Sequence, residues 1–182
     1  MRKFVFVLMM VICCTQFAFS GEYKVLDQGR LNACTEYAVT ACIDIMGEPT
    51  SINPITAYNK LSADGYNDIT ETLQYYKEIG AIDNYMKITP SAININQYLE
   101  HDIPVVIVTW HNGKDWIDGD ITAEDRNFYG NHASVLEKKE ANYYVGVNSW
   151  GENCGYGGKY HLYDLSIIGS AYIIVPKEEV VF

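Results

Sequence analysis

A chain of 182 residues is long enough for one domain with a sizeable core and too short for two comfortable ones. Hydrophobic residues make up 48% of it and charged residues 20%, the balance of a globular protein rather than a disordered one. A formal charge of −10 argues against nucleic acid or an anionic membrane as partner and favours solubility.

The first twenty residues read as a signal peptide. Arg2 and Lys3 form a basic start, an apolar run follows from Phe4 to Cys14, and Ala18-Phe19-Ser20 supplies small residues at the spacing of a cleavage site. The run is short for a membrane span; an uncleaved anchor is the alternative reading. Cys13 and Cys14 follow no small residue, which argues against a lipoprotein. Cleavage removes Arg2 and Lys3 and takes the charge from −10 to −12. The expectation is a secreted or otherwise extracytoplasmic protein (extracellular, periplasmic or in a vesicle lumen), monomeric and without stable membrane association. Three cysteines remain, Cys34, Cys42 and Cys154, and an odd number leaves at least one thiol outside any internal disulfide. In an oxidising compartment such a thiol is either buried or put to use.

Residues 21–182 read as a single domain. Leu31 to Met46 has a helical pattern, with Tyr37, Ala38, Ala41, Cys42 and Ile45 on one face, Asn32 as N-cap, Glu36 in the first turn, and Gly47 and Pro49 as the stop. Cys34 then lies at a helix N-terminus, where free amides and the macrodipole are expected to lower its pKa. Further helices are expected from Pro54 to Ala63-Asp64-Gly65, from Thr70 to Ile79 with Gly80 as cap, and from Ser91 to Leu99. After Pro104 the pattern changes to strands: Val105–Trp110, His132–Glu137, Tyr143–Asn148, Lys159–Tyr163 and Ala171–Val175. Asn112 to Gly130 is polar and reads as a long surface loop. Helices first and strands second predict an α+β fold.

Hydrolysis of an amide by a thiol needs a thiolate, a proton shuttle, a group that orients the shuttle, and donors for the developing oxyanion. Two patches offer candidates. The first is Asp27-Gln28-Gly29-Arg30-Leu31-Asn32-Ala33-Cys34-Thr35, with Gln28 six residues before Cys34; the second is Asn131-His132-Ala133 with Asn148-Ser149-Trp150-Gly151 sixteen residues on. Taken singly, Cys34 reads as a buried helix cysteine, His132 as a structural strand histidine, Gln28 as part of a turn and Trp150 as core. It is their combination and order that carry chemistry. His101, His111 and His161 have no such context and read as surface residues, and no cysteine or histidine spacing fits a zinc site.

In these patches the chain resembles the papain-like cysteine peptidases, and weaker echoes extend the resemblance over nearly all of residues 25–175. The resemblance implies Cys34 as nucleophile, His132 as base and Asn148 as the orienting residue. Gln28 with the Cys34 amide would form the oxyanion hole, and Trp150 would shield the His132–Asn148 pair. It also implies a helical half, with the nucleophile helix, packed on a C-terminal antiparallel sheet or partial barrel, a peptide or protein substrate, and neither metal nor organic cofactor. Thr35 stands where the family usually has tryptophan, Asn32 where it has glycine, Leu31 where many members have a structural cysteine, and Cys154 where many have a second tryptophan. Leucine and threonine at these places bring the chain closer to short bacterial members. The step of 98 residues from Cys34 to His132 is shorter than the roughly 130–150 of the lysosomal enzymes, so an abbreviated groove is expected. Gly21 is only thirteen residues from Cys34, which leaves no room for a propeptide. The function this implies is a secreted cysteine peptidase acting through a thioester acyl-enzyme. The alternatives are an inactive fold used as a binding module, or another hydrolase of the papain superfamily (bacteriocin-processing-like, staphopain-like or a cell-wall amidase).

Overall fold

A computed structural model describes residues 23–47, 52–62, 67–110, 116–123 and 131–176. The expected signal peptide and domain start at Gly21, with Pro49, Ala63-Asp64-Gly65, His111 and most of the expected 112–130 loop, lie outside those residues. Four helices are described: α1 (Cys34–Ile45), α2 (Pro54–Leu61), α3 (Ile69–Glu78) and α4 (Ala92–Leu99). They combine with β1 (Asn84–Ile88), β2 (Val105–Trp110), β3 (Asp120–Ile121), β4 (Asn131–Lys139), β5 (Tyr144–Val147), β6 (Lys159–Leu162) and β7 (Ile168–Val175). The strands form one sheet in the order β1-β7-β2-β4-β5-β6-β3. Every pairing is antiparallel except the short parallel contact of β3 with β6. The fold is α+β, as expected.

β2 shows why an unbroken apolar run becomes a central strand. Val106 and Val108 point into a core with α1, α2 and α3, where Val39, Cys42, Ile43, Leu73 and Tyr76 meet Val135, Tyr172 and Ile174. Val105 and Ile107 point to the opposite face, into a second core with Ile95, Leu99, Trp116, Leu136, Tyr160 and Ile173. With both faces covered there is no polar alternation to read, and only the run itself marks the strand.

Three expectations change in the structure. α1 is buried all round, Thr35 through Ile43, rather than along one stripe, because α2 and α3 cover the side turned away from the sheet. Its N-cap is Ala33, not Asn32, and no side chain caps it. β1 and β3 arise where a helical half and a loop were expected. β1 is an edge strand, exposed at Asn84, Met86 and Lys87, and its place is set by pairing with β7 rather than by an apolar pattern. β3 has only two residues.

Candidate active site

The two sequence patches meet because the backbone joins them. The Gln28 amide donates to the Ser149 carbonyl at 2.8 Å, and the Gly151 amide donates to the Leu26 carbonyl at 3.1 Å, which makes Asp27 and Trp150 an isolated antiparallel bridge. Gly151 is needed here: its φ of +76° is left-handed, and a Cβ would stand 3.1 Å from the Asp27 carboxylate. Residues more than a hundred positions apart thus line one cleft of about 730 Å³. Gln28, Asn32, Cys34, Thr35, Asn131, His132 and Trp150 all line it.

His132 and Asn148 are both buried and hydrogen-bonded, Nε2 to Oδ1, at 2.8 Å. The same Oδ1 accepts from the Ser149 amide at 2.7 Å. A backbone amide can only donate, so the atom facing it is the oxygen, and His132 Nε2 must carry the proton. In the neutral ring, Nδ1 is then the acceptor. Trp150 and Trp116 pack on the imidazole, each with ring centroids 4.9 Å away.

Cys34 opens α1 and is partly buried. Burial is the largest influence on its thiol and pushes it above the ordinary cysteine value. The Ala133 amide lowers it, the charge of Glu36 raises it again, and its own amide and that of Thr35 lower it. The helix tip therefore acts in the expected direction, but desolvation outweighs it, and the expected lowered thiol becomes a raised one. With no side-chain cap at Ala33, the Cys34 and Thr35 amides are left to the sulfur.

The Gln28 side chain is held at both ends. Its Oε1 accepts from Ser149 Oγ at 2.5 Å, and its Nε2 donates to the Leu31 carbonyl at 2.6 Å, which leaves one Nε2 hydrogen for another acceptor.

Two elements of the site were not read from the sequence. Trp116 falls in the stretch expected as a surface loop but is 1% exposed, with its ring 4.2 Å from Tyr160 and edge-on to His132. A tryptophan followed by isoleucine in an otherwise polar stretch was the available signal. Glu36, the expected first-turn acid, is 0% exposed and lies against Thr35. Its carboxylate accepts from Thr35 Oγ1 at 3.0 Å, Thr72 Oγ1 at 3.1 Å and the Asn67 amide, which ties α1 to the start of α3. Cys42 and Cys154 are both buried free thiols, and no disulfide joins them. His101 is exposed, whereas His161 is partly buried between the rings of Tyr143 and Tyr156. Among the described residues no group of histidine, cysteine and acidic side chains could hold a metal ion, and no helix is long and apolar enough to cross a membrane.

This is the papain-like α+β fold, seen in solved structures of cysteine proteases at a TM-score of about 0.70. Xylellain, a cysteine protease from Xylella fastidiosa, superposes at 0.70 with 15% identity over 88% of this chain and 85% of its own. The bromelain protease from Ananas comosus, solved with the E64 inhibitor, gives 0.70 with 12% identity over 85% and 94%. The Carica candamarcensis cysteine protease CMS1MS2, solved with E-64, gives 0.69 with 15% identity over 86% and 94%. At the sequence level no family profile and no curated protein matches the chain.

Proposed function

We propose that this chain is an extracytoplasmic cysteine peptidase that hydrolyses peptide bonds of peptides or proteins through a thioester on Cys34. The observation that carries the reading is the 2.8 Å bond from His132 to Asn148, under Trp150 and on the same cleft as Cys34. It leaves Nδ1 as the basic nitrogen. In the reaction, His132 takes the Cys34 proton and the sulfur adds to the substrate carbonyl. The oxyanion takes donors from the Cys34 amide and the spare Gln28 Nε2 hydrogen. His132 then protonates the departing amine, and the thioester is hydrolysed by water whose proton His132 accepts. Since burial raises the thiol, proton transfer to His132 supplies the thiolate, rather than a thiol that ionises by itself. Residues 1–20 direct export and are removed.

The experiment is alkylation of each cysteine from pH 4 to pH 9, followed by mass spectrometry, on the full chain produced in a secreting host and on His132→Ala. The reading expects Cys34 to react below pH 7 faster than Cys42 and Cys154, to lose that advantage in His132→Ala, and to trap an acyl group from a peptide ester. A mature N-terminus at Gly21 is expected in the same spectra. If Cys34 reacts no faster than the buried thiols and ignores His132, the peptidase reading is wrong. A second reading, a binding module on the same fold, is favoured by the raised Cys34 thiol and by the Gln28 amide donating to Leu31. That outcome would select it.

A further inference from the structure

Resting on the peptidase reading, a second question concerns what holds Asn148. Its Oδ1 is committed to His132 and to the Ser149 amide, and with Asn148 only 3% exposed its Nδ2 group needs a partner inside the protein. That partner is a cysteine. Asn148 Nδ2 donates to Cys154 Sγ at 3.6 Å, while Cys154 Sγ–H donates to the Trp116 carbonyl at 3.1 Å. The thiol proton is spent on Trp116, so the sulfur turns a lone pair toward Asn148. Cys154 is 8% exposed, and its burial keeps it a thiol, against the opposing pull of the Asn148 hydrogen bond. Trp116, the other end of this chain of contacts, places its ring against His132.

We propose that Cys154 is a positioning residue: by linking Asn148 Nδ2 to the Trp116 carbonyl, it sets the angle of the Asn148 amide and the seat of the Trp116 ring, and so holds His132 from two sides. Cysteine suits the position because one small atom donates and accepts at once without filling the space that the Trp116 indole occupies. In this arrangement Cys154 never touches substrate. It acts through the orientation of a hydrogen bond that favours the protonated imidazole, so its loss lowers the His132 pKa. The titratable and charged side chains that line the cleft with His132 are Cys34, Asp68, Lys87 and Tyr172, and Glu36 lies buried against Thr35. Trp116, Trp150 and Thr109, which contact the ring or its backbone on other sides, carry no charge.

The test is the His132 titration followed by NMR of its ring proton, with the pH profile of Cys34 alkylation beside it, in the full-length wild type, Cys154→Ala, Cys154→Val and Cys154→Ser. Near-ultraviolet circular dichroism reports whether each variant keeps its packing. Serine offers both a donor and a better acceptor, so the His132 midpoint in Cys154→Ser is expected at or above the wild-type value. In Cys154→Ala and Cys154→Val it falls by about half a unit to one unit, which is about a three- to tenfold smaller ratio of imidazolium to imidazole at a given pH. Valine fills the space without hydrogen bonding and separates packing from positioning. A Cys154→Val titration that overlays the wild type overturns the proposal. So does a midpoint in Cys154→Ser below wild type, which remains readable if the other two variants fail to fold. The His132 titration is read whether or not the protein cleaves peptides. If Cys34 alkylation ignores His132 while the midpoint still moves with Cys154, the peptidase reading fails and the positioning role stands.

Discussion

A buried carboxylate close to a thiol at a helix tip has two opposite effects, and Glu36 has both. Its three side-chain donors connect Thr35 on α1 to Thr72 and Asn67 on the α3 side, so it holds one flank of the cleft. Its charge also pushes the Cys34 thiol upward. Glu36→Gln keeps the size and an acceptor oxygen but removes the charge. The pH at which Cys34 alkylates half-maximally is expected to fall in that variant, and an unchanged or higher midpoint would contradict this. Glu36→Ala instead leaves buried donors without an acceptor. A loss of about 1–3 kcal/mol is expected in urea unfolding, larger than for Glu36→Gln.

At the scale of elements, the site depends on how closely β5 and β6 approach. Gly146 on β5 faces Tyr160 on β6, and a Cβ there would lie 2.0 Å from the tyrosine ring. That ring is fully buried, packs on Trp116 and is bonded through its hydroxyl to Ser134 Oγ at 2.7 Å, so it has nowhere to go. Gly146→Ala is therefore expected to destabilise by about 1–3 kcal/mol through overpacking. It should also reduce Cys34 reactivity toward alkylation, because Trp116 must move with Tyr160 and carries the edge of His132. Gly146→Ala/Tyr160→Phe should recover little, since the contact is with the ring as much as with the hydroxyl; a full rescue would show that only the hydroxyl is crowded. The elements that escaped the sequence were those specified by pairing. β1 and β3 have no apolar alternation of their own, and only the presence of β7 and β6 makes them strands.

For the whole molecule, burial raises the thiol of Cys42 and the phenols of Tyr76 and Tyr160 in the folded state. The unfolded chain gives up these protons first. Their contribution to stability is thus fully present below the ordinary cysteine and tyrosine values, and it is lost as pH rises past them toward the raised folded values. The urea midpoint is expected to hold through neutrality and to fall steadily above about pH 9. Tyr160→Phe should flatten that fall while lowering the midpoint at neutral pH, where it leaves Ser134 Oγ without its tyrosine partner. A midpoint that rises with alkaline pH would reverse the sign of this argument.

What the sequence determined by itself was whatever depends on local order. Helix and strand periodicity, the Pro104 change from helices to strands, and the spacings from Gln28 to Cys34 and from His132 to Asn148 are properties of neighbours along the chain. They were enough for the α+β class and for the candidate residues. Tertiary structure alone decided quantities that are sums over surroundings. Whether the Cys34 thiol is lowered by its helix tip or raised by burial depends on how much water the two halves exclude. Whether Trp116 is loop or core depends on β6 and Trp150 closing over it. Whether Glu36 faces solvent depends on α3, and what Cys154 is for depends on Asn148 and Trp116 arriving at it from different strands and turns. Local sequence carries no record of those distances, because burial and hydrogen bonding between distant segments are set only when the chain has closed on itself.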